Sequence, residues 1–250
     1  MGKELVEFLD FLTQAKFSLW QVLPLTPPAA GNSPYSAYSA FAGNHLLIDL
    51  QQLVTEGDLS PQSINNCYPH DRVDFDQVTP WKESLLHKAA ENFFKQGETP
   101  RLQEFWHFCD TTYWLHDYAL FKALKQHYHN KPWHRWPNEL AFRKPATLEQ
   151  ASVKLGPEIG VQKYLQWQFY RQWQQIRSDA KERCIAIIGD LPIFVAHDSA
   201  DVWCNQDLFL LDSKGKPTVV AGVPPDYFSA TGQLWGNPLY NWEAMAQQGY

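Results

Sequence analysis

Acidic, amide and aromatic side chains alternate with glycine and proline between positions 221 and 240. The side chains in this segment that could do chemistry are Asp226, Tyr227, Phe228, Trp235 and Asn237. Carboxylates and amides exchange hydrogen bonds with sugar hydroxyls, and aromatic rings pack on the C–H faces of sugars. Two prolines stiffen the chain before Asp226, so the segment is typical of a carbohydrate-binding lid. The alternative is a surface loop whose rings, including that of Phe228, fold back onto the protein.

Two further groups of candidate residues follow predicted strands. Ser33 and Tyr35 lie on a loop after the apolar run 17–25. Asp190 directly follows the Ile-Ile-Gly end of a second apolar run. Ligands of α/β sheets bind beyond the carboxyl ends of the strands, so both positions suit a pocket. Asp190 either caps the next turn or accepts hydrogen bonds from a sugar, and its position favours the second role. For Tyr35, the residues alone do not separate an exposed turn residue from a pocket residue.

Other patterns of catalytic or metal-binding residues are weak. His127, His129 and His134 lie close together in the sequence, but no carboxylate or cysteine stands beside them. We therefore favour a solvated loop over a metal site there. The sequence contains no GxSxG, GxxxxGK[ST], GxGxxG or HExxH pattern. Serine-hydrolase, nucleotide-binding and zinc-protease functions thus have no support.

Composition limits the possible partners. The 250 residues carry 27 acidic and 21 basic side chains, a formal charge of −6, with no long block of one sign. Nucleic-acid binders carry a clustered basic surface, so we expect no nucleic-acid partner. No run reaches the ~18 apolar residues of a membrane span, so we expect no membrane partner. The N-terminus shows no secretory signal, which predicts a cytoplasmic protein. The widely separated cysteines are then predicted to be free thiols. They are Cys67, Cys109, Cys184 and Cys204.

Hydrophobic periodicity places these candidates on an α/β framework. The apolar spacing predicts helices over 3–15, 86–93, 114–124 and 165–176. Apolar and β-branched runs predict strands over 17–25 and 184–195 and a short β-rich piece over 217–222. The segment 26–44 is predicted to be a loop, and prolines interrupt the region between the later helices. Two or three strands are too few to close a barrel.

Several longer stretches resemble the 4-α-glucanotransferases, the amylomaltase or disproportionating-enzyme family of the α-amylase superfamily. These stretches are 20–25, 33–35, 39–44, 117–121, 189–196, 198–203 and 221–240. The resemblance implies an α/β fold, an incomplete (β/α)8 TIM barrel with a large helical insertion between early strands. It divides the chain into a first barrel segment with a donor-site loop, a mainly helical insertion, and a barrel strand with the lid. The boundaries of these three parts are 1–51, 52–182 and 183–250.

The resemblance also implies a reaction. Members of the family move an α-1,4-glucan segment to the 4-hydroxyl of an acceptor glucan or glucose, with retention and without a metal or organic cofactor. The implied partners are α-1,4-glucans and maltooligosaccharides. The residues that match substrate-contacting positions of the family are Ser33, Tyr35, Asp190, Asp226, Tyr227, Phe228, Trp235 and Asn237.

The catalytic carboxylates implied by the resemblance are not among these residues. The family carries its nucleophile in an Arg-x-Asp-His-Phe-Arg motif, and no Arg-x-Asp-His occurs in residues 1–250. The nucleophile and the acid/base glutamate are therefore expected beyond Tyr250. A Gly-Ile-Gly-Asp-Leu-Gly stretch near the start of family members is also absent. We expect this chain to be an N-terminal portion that is inactive alone. The alternatives are a non-catalytic glucan-binding protein and one half of a split enzyme.

Overall fold

The computed structural model describes residues 1–29, 31–64 and 72–250. In chain order the α-helices are α1 (Lys3–Gln14), α2 (Leu50–Thr55), α3 (Phe75–Lys95), α4 (Pro100–Thr111), α5 (Leu115–His127), α6 (Asn138–Ala141), α7 (Pro145–Lys154), α8 (Gly156–Glu182), α9 (Ala200–Cys204) and α10 (Trp242–Gln247). The strands are β1 (Leu19–Gln21), β2 (Ala186–Ile188), β3 (Val220–Val223) and β4 (Gln233–Pro238). The described residues thus form a mixed α/β structure that is mostly helical and contains no closed barrel.

The first two strands form a parallel pair, as predicted for an α/β protein. The register runs from Leu19 opposite Ala186 to Gln21 opposite Ile188. The predicted strands 17–25 and 184–195 are wrong in length, because each observed strand has three residues. Pro24 and Pro192 lie just beyond the paired residues and have no backbone N–H with which to extend the ladder. These prolines limit how far the two predicted runs can continue as strands.

The segment 221–240 is not a loop throughout, contrary to the prediction. β3 and β4 pair antiparallel across it, with an irregularity between Val220 and Gly222. The predicted β-rich piece 217–222 therefore begins too early and misses its partner strand. Gly232 precedes β4 at φ +74°, and a Cβ there would lie 2.5 Å from the Val223 carbonyl oxygen. The hairpin thus needs glycine at this position, since other residues rarely adopt that backbone conformation.

The predicted helices are confirmed, and three of them are longer than the apolar spacing indicated. The spacing over 86–93 and 165–176 falls within α3 and α8, and that over 114–124 begins one residue before α5. Asp74 caps α3 by accepting a hydrogen bond from the Gln77 amide at 3.2 Å, which extends the helix toward its N-terminus. Prolines in the middle of the chain begin helices as well as interrupt them, since Pro145 is the first residue of α7. Within the described part of the chain, no helix has both the length and the apolar character needed to cross a bilayer.

The chain forms two compact units. Unit 1 comprises Met1–Val22, Gly43–Leu115 and Gly160–Gly189, and unit 2 comprises Leu23–Ala42, His116–Ile159 and Asp190–Tyr250. In unit 1, Leu9 and Leu12 of α1 pack with Ala180 and Ile185 under the parallel sheet. In unit 2, the rings of Phe121, Trp136 and Trp203 lie within 6 Å of one another. Each unit therefore has its own buried apolar cluster.

Two buried glutamines of α8 hold an irregular segment of unit 1. The Gln166 amide accepts from the Gly43 N–H at 2.7 Å and donates to the Gly43 carbonyl at 3.0 Å. Gln172 makes the same pair of contacts with the backbone of Asp49, at 2.7 and 3.2 Å. A side-chain amide thus replaces the neighbouring strand that this backbone lacks, and the buried polar groups are satisfied.

Lys82 of α3 is a buried amine in unit 1, and its titration should be visible in the stability of the protein. Its Nζ donates to the Leu46 carbonyl at 2.7 Å, and burial lowers its pKa to about 8 despite the attraction of Asp49. The unfolded chain keeps this proton up to the usual lysine pKa of about 10.4. Between these values the unfolded state binds more protons, so the free energy of unfolding rises with pH.

We expect Lys82→Met to flatten this rise, because the substitution removes the buried titrating amine. Lys88→Met, at an exposed position of the same helix, should leave it unchanged. Equilibrium unfolding in guanidinium chloride at pH values between about 7.5 and 10 measures the slope. An equal slope in the native protein and in Lys82→Met contradicts the prediction.

Candidate functional site

A turn in unit 2 presents Tyr35 to a cavity. The Ser36 N–H donates to the Ser33 carbonyl at 3.1 Å, and a β-bridge between Pro28 and Ala37 closes the base of the loop. The Tyr35 side chain is 49% exposed, and its hydroxyl donates to Asp190 Oδ2 at 2.9 Å. This hydrogen bond to a carboxylate raises the pKa of Tyr35. The phenol therefore stays protonated around neutral pH and orients the carboxylate beside it.

The segment that carries Asp190 has no regular secondary structure, so side chains from the β4 region hold it in place. Asn237 donates from Nδ2 to the Val195 carbonyl at 2.9 Å. The hydroxyl of Tyr240 donates to the Ile193 carbonyl, also at 2.9 Å. Both contacts lie within unit 2 and fix the backbone that follows Asp190. Rigid support of this kind is what a polar binding site needs.

These residues enclose a cavity of about 650 Å³. Its lining residues are Ser33, Tyr35, Ser36, Asp190, Leu191, Ile193, Phe194, Gln233, Trp235 and Asn237. The volume lies within the range of small-molecule sites. A carboxylate, a phenol, amides and hydroxyls stand beside exposed aliphatic side chains and an indole ring. This mixture can hydrogen-bond several hydroxyl groups and pack against a flat C–H face at the same time.

Five of the eight predicted site residues meet in this cavity, namely Ser33, Tyr35, Asp190, Trp235 and Asn237. The indole of Trp235 is half exposed, and its Nε1 donates to Gln233 Oε1 at 3.1 Å. Asn237 is buried, and its contact with Val195 makes it a support of the cavity wall as well as a lining residue. The predicted residues from three separate segments thus line one space.

The other three predicted residues lie on the connection between β3 and β4 and do not line the cavity. Asp226 Oδ1 accepts from the backbone N–H groups of Phe228 and Ser229 at 2.9 and 2.8 Å. Its carboxylate therefore stabilises the turn. Tyr227 is 99% exposed and Phe228 is 91% exposed. The alternative that Phe228 folds back onto the protein is thus wrong.

The sequence reasoning missed five lining residues, which are Ser36, Leu191, Ile193, Phe194 and Gln233. Leu191 and Ile193 are 80% and 76% exposed. A signal for both was available: apolar residues continue past Asp190, but Pro192 prevents them from forming a buried strand. Apolar residues that cannot be buried in a sheet are candidates for ligand contact.

Within the part of the chain that the structure describes, no cluster of three or more potential metal ligands occurs. His134 instead packs on His197 with 5.0 Å between the ring centroids. Burial lowers the pKa of both imidazoles. Both rings are therefore neutral at neutral pH.

The three described cysteines, Cys109, Cys184 and Cys204, are free thiols, whereas Cys67 lies outside the described residues. Burial raises the pKa of Cys109 to about 11 and that of Cys204 to about 12. Neither of these two thiols is therefore a nucleophile at neutral pH.

Comparison with known proteins gives one consistent result. A sequence model of the 4-alpha-glucanotransferase family matches residues 1–250. The 4-alpha-glucanotransferases of Synechocystis sp. and Thermus thermophilus are 46% and 45% identical to this chain, and each match covers 100% of this chain and 50% of the relative. The chain thus spans about half the length of the curated relatives it matches.

A solved amylomaltase from Streptococcus agalactiae, in complex with acarbose, superposes with a TM-score of 0.94 at 37% identity. That superposition covers 99% of this chain and 50% of the amylomaltase. A family model that matches every residue agrees with relatives that are related over the whole of this chain. On these grounds the chain belongs to the 4-alpha-glucanotransferase family.

Proposed function

We propose that the protein is a retaining 4-α-glucanotransferase and that the cavity of unit 2 binds the donor glucan. The observation that carries this proposal is the Tyr35–Asp190 hydrogen bond of 2.9 Å inside a cavity lined by Trp235. A carboxylate oriented by a phenol accepts hydrogen bonds from sugar hydroxyls, and the indole offers a face for the sugar ring. The acarbose complex of the Streptococcus agalactiae relative supports the same substrate class.

In this proposal, Asp190 and Tyr35 bind and orient the glucan and do not break the glycosidic bond. A retaining enzyme needs two carboxyl groups about 5–5.5 Å apart, one as nucleophile and one as acid/base. We place both groups in sequence beyond Tyr250, because residues 1–250 contain no Arg-x-Asp-His motif and the relatives are about twice as long. The cavity residues would then hold the donor sugar while those carboxylates act on it.

We further propose that β1 and β2 belong to a (β/α)8 barrel in the complete protein. Their parallel register agrees with that architecture. The division into segments 1–51, 52–182 and 183–250 and the cytoplasmic location stay predictions. No step of the proposed reaction uses a metal or an organic cofactor.

The proposal is tested by assaying the native protein, purified from its source cells, with maltotriose. We expect glucose together with oligosaccharides longer than maltotriose, and peptides that extend past Tyr250 into an Arg-x-Asp-His segment by mass spectrometry. Binding of acarbose without transfer would instead favour a non-catalytic glucan-binding protein. Activity that needs a second polypeptide would favour a split enzyme.

The exposed rings of Tyr227 and Phe228 are proposed to shield the reaction from water. Transfer exceeds hydrolysis when water is kept away from the covalent intermediate. We expect the double substitution Tyr227→Ala/Phe228→Ala to raise the ratio of hydrolysis to transfer several-fold. Because both side chains are almost fully exposed, the free energy of unfolding should change by less than about 0.5 kcal/mol.

The measurement compares glucose released by hydrolysis with longer oligosaccharides formed, in the native protein and the double variant. Val153→Ala is a matched control, because Val153 is an apolar residue on α7 that is 79% exposed. An unchanged ratio in the double variant contradicts a shielding role for these rings.

A further inference from the structure

The loop that carries Tyr35 is held at its far end by the segment 196–201, which is also in unit 2. The Ala196 N–H donates to the Ala37 carbonyl at 3.1 Å. The Ala200 N–H donates to the Tyr38 carbonyl at 2.8 Å. Both contacts join backbone to backbone, so most side-chain substitutions leave them intact.

A third contact comes from a side chain. The carboxylate of Asp201 accepts the Ala40 N–H, with Oδ2 at 3.3 Å and Oδ1 at 3.4 Å. It also accepts a hydrogen bond from the Ser39 side chain. The Ser39 Oγ itself accepts from the N–H groups of Phe41 and Ala42 at 3.1 and 3.3 Å. Since those amides can only donate, the hydroxyl proton of Ser39 points to the carboxylate. One carboxylate thus organises residues 39–42.

This arrangement is unusual for an aspartate with a purely local role. The Asp201 carboxylate is largely buried, and burial raises its pKa even though three hydrogen bonds oppose the shift. Burying a carboxylate costs free energy that ordinary surface turns do not require. The loop residues that donate to this carboxylate are Ser39 and Ala40, which follow Tyr35 by four and five positions.

Backbone hydrogen bonds close the base of the Tyr35 turn, but the contacts of Tyr35 itself are few. The Tyr35 N–H contacts Ser33 Oγ at 3.4 Å, which is long for a hydrogen bond. Its side chain is half exposed, so packing alone does not fix it. The position of its hydroxyl relative to Asp190 therefore depends on how the remainder of the loop is fixed.

We infer that Asp201 is a positioning residue, whose carboxylate fixes the loop 33–42 so that the Tyr35 hydroxyl meets Asp190 in the cavity. The inference rests on the proposed function of that cavity in glucan binding. Asp201 does not line the cavity, so it acts on the sugar through Tyr35 and Asp190. The inference thereby extends the site from Asp190 to the last of the three carboxylates in the segment 190–201.

The test uses Asp201→Ala and Asp201→Asn in the full-length native protein. In Asp201→Ala we expect faster hydrogen–deuterium exchange in peptides that cover 36–42, because the Ala40 amide loses its acceptor. The KM for maltotriose should rise about tenfold with little change in kcat, as expected when binding shared by ground and transition states is lost. Asp201→Asn should recover both values to within about threefold, since its amide oxygen can accept from both the Ala40 N–H and the Ser39 hydroxyl.

A merely structural role gives a different pattern. Loss of folded protein lowers the apparent kcat and leaves KM unchanged, and this result would overturn the inference. Unchanged exchange over 36–42 in Asp201→Ala would overturn it as well. Asp117→Ala is the matched control, because it breaks the 2.7 Å ion pair with Arg143 in the same unit and should leave both readouts unchanged.

A failure of the proposed function can be distinguished from a failure of the positioning role of Asp201. If the native protein transfers no glucan, that function fails, and the dissociation constant for acarbose replaces KM as the readout. A weakening of about tenfold in Asp201→Ala, with recovery in Asp201→Asn, then supports the positioning role. Equal acarbose affinity in the native protein and Asp201→Ala, or undetectable acarbose binding by the native protein, overturns it.

Discussion

Replacing Asp190 with alanine in the full-length protein is expected to lower kcat/KM for maltotriose by about 100-fold. Hydrogen bonds to a charged group contribute roughly 1.5–3 kcal/mol, and each 1.4 kcal/mol corresponds to about a tenfold change. Asp190 lines the cavity and accepts from Tyr35 at 2.9 Å. Its loss removes the charged acceptor and leaves the Tyr35 hydroxyl without its partner. Both effects act on the bound sugar.

Two companion variants separate these effects. Tyr35→Phe keeps the ring and the carboxylate and removes the 2.9 Å hydrogen bond, so we expect a smaller loss of about five- to tenfold. Asp190→Asn keeps the shape but not the charge and should lie between the two. Initial rates over a range of maltotriose concentrations give kcat and KM for each variant.

The control for net charge is Glu149→Ala, which removes an exposed carboxylate from α7. It should retain the native kcat/KM. A value for Asp190→Ala within threefold of the native protein, with the variant folded by circular dichroism, would exclude Asp190 from glucan binding. The proposed donor site would then lie elsewhere.

The placement of Asp190 could be predicted because local sequence determines it, whereas the residues alone left Tyr35 open and the family resemblance placed it in the site. Apolar runs interrupted by glycine or proline mark where a strand must end, and a polar residue at that point is exposed to a site. Ser33 follows the same rule. The structure brings these residues to one cavity, although 155 positions separate Tyr35 from Asp190. These residues were recognised by the chemistry of their side chains and not by any long-range pattern in the sequence.

The hairpin β3–β4 could not be predicted in the same way. The residues of β4, Gln233–Pro238, include glycine and proline and contain no β-branched side chain. Their strand conformation comes from pairing with β3, where the paired residues Val220 and Val223 lie 18 and 10 positions before Pro238 and Gln233. Strand propensity depends on such cross-strand partners more than on the residues themselves. The sequence therefore placed Trp235 correctly among the site residues but predicted a loop where the structure has a strand.

Asp201 and Asp58 escaped the sequence reasoning for the same reason. Each aspartate stands between two non-polar residues, and nothing local in the sequence marks its carboxylate as buried. Asp58 is 0% exposed, and its partners in unit 1 are Gln96 directly after α3, Arg101 of α4 and Tyr164 of α8. Partners 38 to 106 positions away leave no local pattern. A buried carboxylate of this kind is visible only in three dimensions.

Asp58→Ala is expected to destabilise the protein by about 3–5 kcal/mol, the range for removing one partner of a buried ion pair. Arg101 donates to both carboxylate oxygens, at 2.9 and 2.6 Å. The Tyr164 hydroxyl donates to Oδ2 at 2.7 Å and Gln96 to Oδ1 at 3.0 Å. The substitution leaves a phenol and an amide without their acceptor and removes one of the two carboxylates that bind the guanidinium. The guanidinium keeps Glu56 at 2.6 Å, which places the expected loss below that of an isolated charge.

Equilibrium unfolding in guanidinium chloride measures the loss, and hydrogen exchange in α3, α4 and α8 locates it. Asp58→Asn keeps one acceptor and should lose less. Glu7→Ala is the matched control, because it breaks the exposed Lys3–Glu7 pair of α1 and should cost less than about 0.5 kcal/mol. If Asp58→Ala also costs less than about 1 kcal/mol, then water or rearranged side chains solvate Arg101, and these hydrogen bonds do not hold α4 and α8 to the segment of Asp58.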